Sequence, residues 1–245
     1  MPWRSFLTLV LPSLLMALPV QAYGPLNDTG IVTCGDASNN DLPCPVADYP
    51  GQDAEYGRDV TDNDPSDGHA GFSFTKLDAN GNDLPASATD WFCVRDNVTG
   101  LIWEVKTDGG LRDQDWTYTW YNTDPTTNGG DPGVQGGGTC EGSACDTQGY
   151  VTAVNAQGLC GASDWRLPAR EELRSIVSYD HSPAIDTDYF PNTLSTRFLS
   201  ASPYAANSGY SWSVSFYYGY DYSLDVDDRT FKGIDRAVRL VRGGQ

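Results

Sequence analysis

The stretch CGASDWRLPAREELRSIV, residues 160–177, decides the fold of this chain, because it leads from a turn through a large aromatic side chain into a helix. Trp165 follows the turn, and Pro168 suits the first helical turn, where no backbone N–H is needed. The helix carries an apolar stripe at helical spacing, which predicts a contact with the core. The stripe consists of Leu173, Ile176 and Val177.

The corner Asp164-Trp165-Arg166 within this stretch is predicted to be structural. We expect Trp165 to anchor the core and Arg166 to pair with a nearby carboxylate, since short motifs carry a real risk of matching a functional site by chance. Nothing in residues 160–177 is catalytic by composition.

Residues 1–22 have the pattern of a secretion signal. Arg4 precedes an apolar segment at 6–20, and Val20-Gln21-Ala22 fits a small-residue cleavage site. The segment is short and interrupted by prolines, and no later stretch is apolar enough to predict a membrane span. We therefore expect a signal peptide at 1–22 and a protein that is secreted, periplasmic or at the cell surface.

The charge of the chain limits its partners. Its formal net charge is −18, and removal of the signal takes away one basic residue, Arg4. Such an acidic protein repels nucleic acid and anionic membrane surfaces, so we expect no nucleic-acid partner. The charge also suits divalent cations or a basic partner, whereas the simpler interpretation is solubility in an extracellular medium.

Six cysteines follow the signal, an even number that predicts three disulfides in a secreted protein. Their spacing does not match a zinc site. Sequence alone leaves many connectivities open, but loop closure favours neighbouring partners. The predicted pairs are Cys34–Cys44, Cys140–Cys145 and, by remainder, Cys93–Cys160.

Residues 23–88 are predicted to form an acidic, loop-rich N-terminal extension, in which only 71–77 alternates like a strand. The loop after that strand partly matches an acidic calcium loop, because it places oxygen-bearing side chains around a glycine. These side chains are Asp78, Asn80, Asn82 and Asp83. A polar turn between two strands is the alternative, since Asn-Gly is itself a hairpin signal. The predicted cofactor is therefore none, or Ca²⁺ at this loop.

Residues 89–245 are predicted to form the main domain, of the α+β class. A helix at 151–159 joins the helix after Pro168, and the long Gly- and Asp-rich stretch at 107–145 contains several aromatic residues. Strand patterns occur at 91–95, 99–106, 198–201, 211–216 and 237–241. The predicted core comprises Leu101, Trp103, Trp165, Leu173, Ile176, Trp212, Val214, Val238 and Leu240.

The segment 211–216 (SWSVSF) alternates cleanly, which predicts that Trp212, Val214 and Phe216 face inward and the serines outward. The aromatic and acidic residues after it exceed what the core can hold, so we predict a ligand-binding loop. Its residues are Tyr217, Tyr218, Tyr220, Asp221, Tyr222, Asp225, Asp227 and Asp228. A twisted hairpin with cross-strand tyrosine pairs is the alternative.

Four segments occur in an order that resembles the Lcl C-terminal domain family, named after the C-terminal domain of a bacterial collagen-like adhesin. They are DNVTGLIWE (96–104), CGASDWRLPAREEL (160–173), DYFPNT (188–193) and VRLVRGG (238–244). The resemblance implies a C-type-lectin-like domain with two helices, a small antiparallel sheet, neighbouring terminal strands and long loops. It also implies bacterial secretion and adhesion to host glycans or surfaces.

The chain departs from the adhesin in two respects. It has no collagen-like Gly-X-Y tract, and its acidity does not suit the sulfated glycosaminoglycans with which that adhesin is associated. We therefore expect a secreted, adhesin-like binding module for a glycan or a surface protein. One alternative is an enzyme related to the similar formylglycine-generating fold, although no catalytic motif is found. The other is a structural envelope or matrix protein.

Overall fold

The computed structural model describes residues 27–217 and 227–243. The predicted signal peptide and most of the predicted ligand loop lie outside these ranges. Within them the fold is α+β, with few helices and two antiparallel sheets. The strands are β1 (Phe74–Leu77), β2 (Cys93–Asp96), β3 (Leu101–Glu104), β4 (Arg197–Pro203), β5 (Tyr210–Ser215), β6 (Asp227–Phe231) and β7 (Val241–Gly243).

The first sheet has the order β1-β2-β3-β7, so the last strand lies beside an early one. Trp103 of β3 pairs with Val241 of β7, and both side chains are buried. Strand β1 belongs to the range assigned to the extension, yet Leu77 pairs with Cys93 at the edge of this sheet. The extension is therefore joined to the main domain through backbone hydrogen bonds.

The helices are α1 (Arg58–Thr61), α2 (Thr147–Gln157) and α3 (Arg170–Arg174). Helix α2 begins four residues before the predicted start, because the Asp146 carboxylate accepts a hydrogen bond from Gly149 N at 2.7 Å and caps the helix. It ends at Gly158, whose φ of 68° is left-handed. Helix α3 is a short version of the helix predicted after Pro168.

The second sheet has the order β4-β5-β6. Strand β6 begins within the predicted loop at 217–228, because Asp227 and Asp228 pair with Val214 and Ser213 of β5. At this end the pairing agrees with the hairpin alternative, although two consecutive aspartates lack the apolar alternation that marks a strand in sequence.

The core confirms the predicted positions with one exception. Trp103, Trp165 and Leu173 are buried, as are the other predicted residues Leu101, Ile176, Val214, Val238 and Leu240. Trp212 is partly exposed, whereas the serines Ser211 and Ser213 are fully buried, so the predicted inward and outward faces were wrong at this end of β5.

The physical reason lies in how the two faces of β5 are covered. Val214 packs with Leu173 of α3 in one core cluster, whereas Trp212 lies near Arg170, where α3 begins. The face that carries the serines holds small hydroxyl groups, and Ser213 Oγ lies 3.0 Å from Thr230 Oγ1. The alternation separated the two faces correctly, but both are enclosed over much of β5, and on the predicted inward face Trp212 is partly exposed.

The six cysteines form three disulfides, with the predicted connectivity Cys34–Cys44, Cys93–Cys160 and Cys140–Cys145. The second of them links β2 to the turn before Trp165 across 67 residues of sequence. No cysteine is free.

Candidate functional site

The motif residues around Trp165 hold the fold together. Trp165 is 2% exposed and donates its indole N–H to the Leu159 carbonyl at 2.9 Å. Arg166 makes two hydrogen bonds to the Glu172 carboxylate, at 2.7 and 2.6 Å. The Arg166 backbone also exchanges hydrogen bonds with Val241 of β7. These contacts confirm that Trp165 anchors the core and that Arg166 pairs with a nearby carboxylate.

A buried polar network lies between β3 and α2. The Glu104 carboxylate accepts hydrogen bonds from the Tyr150 hydroxyl, from Lys106 Nζ at 3.3 Å and from Leu240 N at 2.8 Å. Arg239 donates to the Glu104 carbonyl at 2.6 Å. All four side chains, those of Glu104, Lys106, Tyr150 and Arg239, are almost fully buried.

Burial dominates the electrostatics of this network. It lowers the pKa of Lys106, which Glu104 partly opposes, and it lowers the pKa of Arg239 to about 10. It raises the pKa of Tyr150, in the same direction as the Glu104 charge. Because the network is enclosed, we assign it to the specification of the core. Sequence reasoning missed it, since Glu104 and Lys106 stand in an otherwise apolar strand pattern with no sign of their partners.

The candidate binding site is the outer face of the β5–β6 hairpin, which we call the aromatic–arginine face. Trp212 pairs with Arg229 across the ladder, and Tyr210 pairs with Phe231, so these four side chains share one face. Arg229 is exposed and Phe231 is 48% exposed. The face is completed by Arg170 from the start of α3 and Tyr204 from the turn after β4.

The side chains of the aromatic–arginine face contact each other in a continuous chain. The Arg170 guanidinium carbon is 4.6 Å from the Trp212 ring centroid, and Tyr204 meets Trp212 edge-on at 5.1 Å. Arg229 lies 5.5 Å from the Tyr204 ring and donates to its hydroxyl at 3.2 Å. These contacts fix the orientation of large side chains that remain partly open to solvent.

The charge of this face differs from that of the chain as a whole. Two guanidinium groups flank Trp212 in a protein with a net charge of −18. Arg170 is also bonded to the adjacent Glu171, with its Nε donating at 2.8 Å. Arg229 therefore provides the more accessible positive charge, beside aromatic rings that offer apolar faces and a hydroxyl group.

The predicted ligand loop follows directly from this hairpin. Tyr217, at the end of β5, is 47% exposed. For Asp227 and Asp228 the structure gives the backbone position in β6. Tyr218, Tyr220, Asp221, Tyr222 and Asp225 lie outside the described residues. Sequence reasoning missed Tyr204, Tyr210, Arg170, Arg229 and Phe231, and the only signal was the Tyr210–Trp212 alternation.

The acidic loop after β1 uses its oxygen atoms internally. Asp78 Oδ1 accepts hydrogen bonds from Asn80 N and Asn82 N, both at 2.8 Å. The Asp83 carboxylate is paired with Arg95 at 2.6 and 2.8 Å. Across residues 27–217 and 227–243, no group of three or more His, Cys, Asp or Glu side chains is arranged to hold a metal ion.

Two shallow clefts lie on either side of Tyr121 and Gln148, with volumes of about 290 and 380 Å³. The Gln148 side chain accepts hydrogen bonds from Thr123 N and Thr123 Oγ1, at 3.0 and 3.1 Å. Arg166 lines the first cleft, but its guanidinium is held by Glu172. These clefts lack the combination of exposed rings and charge found on the aromatic–arginine face.

Comparison with known proteins gives one match. A family model described as the Lcl C-terminal domain matches residues 92–242. Searches among curated proteins and among solved structures give no match. In the described part of the chain, no helix has the length and apolar character needed to cross a membrane.

Proposed function

This chain belongs to the Lcl C-terminal domain family, and we propose that it is a secreted bacterial binding module that recognises a glycan or a surface protein in an adhesin-like role. The family match is consistent with an extracellular binding module. Three disulfides suit an oxidising compartment and thus support secretion. The ligand surface that we propose is the aromatic–arginine face, extended by the loop between β5 and β6.

A single observation carries this proposal: Trp212 and Arg229 stand side by side on a rigid hairpin, with Tyr204 against both, and remain partly open to solvent. Tryptophan, tyrosine and arginine are the residues that contribute most to binding energy at protein interfaces. Their rings also supply apolar faces next to hydrogen-bond donors, which a sugar ring requires. Packing has already ordered these side chains, so binding loses less conformational entropy.

We further propose that the domain is C-type-lectin-like. Three features support this proposal. The early strand β3 adjoins the last strand β7, helices α2 and α3 lie between them in sequence, and residues 107–145 contain no helix or ladder strand. The ligand surface on the second sheet agrees with the use of late strands and loops for recognition in that fold class.

The alternative enzyme function has less support. Chemistry of the formylglycine-generating type needs a reactive thiol, and all six cysteines are paired in disulfides. The charged residues of the Glu104 network are enclosed and therefore out of reach of a substrate.

The test is a binding array of glycans and surface proteins with the full chain as parent. The site variant is Trp212→Ser/Arg229→Ser, and the matched control is Tyr56→Ser, which removes a 63% exposed aromatic ring from the extension. A second variant, Tyr218→Ser/Tyr220→Ser/Tyr222→Ser, tests the loop separately. We expect the site variant to lose the ligand that the parent and the control retain. Equal binding by parent and site variant excludes this face.

A further inference from the structure

We propose that His69 and His181 form a pH-sensitive latch that holds residues 27–31 and 66–70 of the N-terminal extension against the segment 178–189 at neutral pH and loosens this contact in acid. They are the only two histidines in the chain, and their rings are in edge-to-face contact with centroids 4.3 Å apart. His69 belongs to the loop before β1, whereas His181 belongs to the segment after α3. The contact therefore joins two parts of the chain that are distant in sequence.

The latch lies at a contact between the extension and the domain that is separate from the β1–β2 pairing. His69 N donates to the Asp186 carboxylate at 3.0 Å, and the Tyr189 hydroxyl donates to the Ser66 carbonyl at 3.2 Å. Tyr179 N donates to the Thr29 carbonyl at 2.8 Å. Residues 66–72 and 27–31 of the extension thus both rest on the segment 178–189.

His181 also contacts Ser178, which lies beside residues 27–31 of the extension. Its Nδ1 lies 2.8 Å from Ser178 Oγ. A methyl group on Gly30 would come within 2.3 Å of that same oxygen, so the extension backbone passes directly over it. The Ser178 hydroxyl therefore lies between the His181 ring and the Gly30 backbone of the extension.

The charges that face the two rings are unequal. Asp180 Oδ2 lies 3.7 Å from His69 Nε2. Asp180, Asp186 and Asp188 raise the pKa of His181 but do not overcome burial, and Lys76 of β1 lies near the last two of these carboxylates. A proton on His181 therefore places a charge on a partly buried ring that contacts His69.

The direction of the pH dependence follows from His181. Burial, together with the neighbouring His69, lowers the pKa of His181 below its ordinary value of 6.5. The released state therefore binds more protons than the latched state. Stability of the latch is complete above the ordinary pKa and is lost as the pH falls through 6.5 towards the lower value.

The experiment measures hydrogen exchange of the His69 and Tyr179 amides in the full chain at pH 7.5 and 5.0, corrected for intrinsic exchange rates. The parent should lose protection at pH 5.0, by up to about tenfold for each unit by which the pKa of His181 differs between the two states. The double variant His69→Gln/His181→Gln, which keeps hydrogen-bonding groups but does not titrate there, should lose far less. A parent without this loss, or a double variant with an equal loss, overturns the latch.

An NMR titration of the parent keeps the proposal testable if the double variant does not fold. The pKa of His181 should lie below its ordinary value of 6.5. A His181 pKa at or above that value would contradict the latch. The array of glycans and surface proteins tests ligand binding by the aromatic–arginine face. Its result does not affect the test of the latch, because the latch does not involve that face.

Discussion

Trp212 lies directly opposite Arg229 in the β5–β6 ladder, and Tyr204 packs against both. Three side chains that are distant in sequence thus form one ordered, half-open surface. A tryptophan in an alternating strand normally indicates the core. Here the short helix α3 leaves the Trp212 end of β5 uncovered. The surface is rigid because its members contact each other as well as the sheet.

The two tryptophans Trp165 and Trp212 should respond differently to replacement by alanine. Trp165→Ala should destabilise the fold by about 3–5 kcal/mol, since it opens a cavity in a closed core. Trp212→Ala should lower the free energy of unfolding by only about 1–2 kcal/mol, because the indole is already partly exposed. Urea unfolding of both variants measures this difference. Equal losses would mean that Trp212 is a core residue.

The Glu104 network should be sensitive to the loss of its single acid. Glu104→Gln leaves Lys106 and Arg239 buried without their counter-charge and should destabilise by about 3–5 kcal/mol. Glu171→Gln at the surface is the matched control and should change stability by about 0.5 kcal/mol or less. In the double variant Glu104→Gln/Lys106→Met, part of the loss should be recovered. If the single variant matched the control in a denaturant titration, the network would have no role in stability.

The disulfides should differ in their contributions according to the loops they close. Replacing Cys93 and Cys160 by alanine opens a loop of 67 residues and should destabilise by about 4 kcal/mol, whereas the short Cys140–Cys145 loop should be worth about 2 kcal/mol. Thermal unfolding of the two double variants gives the comparison.

Peptide mapping without reductant should find no free thiol, and a reactive Cys93 or Cys160 would reopen the enzyme hypothesis.

Calcium removal should leave the acidic loop after β1 unchanged. Asp78 accepts hydrogen bonds from its own loop and Asp83 is held by Arg95, so the loop is stable without an ion. We expect the same melting temperature with excess chelator and with added Ca²⁺. A rise in melting temperature with Ca²⁺ that Asp78→Asn abolishes would instead establish Ca²⁺ as a ligand through mass action.

Sequence reasoning was most successful where local pattern and burial agree. One large side chain was enough to predict the burial of Trp165, and helical spacing was enough to predict the burial of Leu173. The strand pattern likewise predicted β2 and β3, which pair. The disulfide pairs followed from loop length. It left loop and hairpin open at β6, because two aspartates lack the apolar pattern of a strand, and it was wrong for Trp212, whose exposure depends on where α3 begins. It also missed the Glu104 network and Arg170, because their partners come from remote segments.

The most direct test of the central claim is the ratio of dissociation constants between the parent and Trp212→Ser/Arg229→Ser for the strongest ligand found on the array. Two central contacts of this kind should together weaken binding by about a hundredfold or more. The melting temperature should fall by only a few degrees, and Tyr56→Ser should bind like the parent. An unchanged dissociation constant in the folded double variant would contradict the assignment of the aromatic–arginine face as the binding surface.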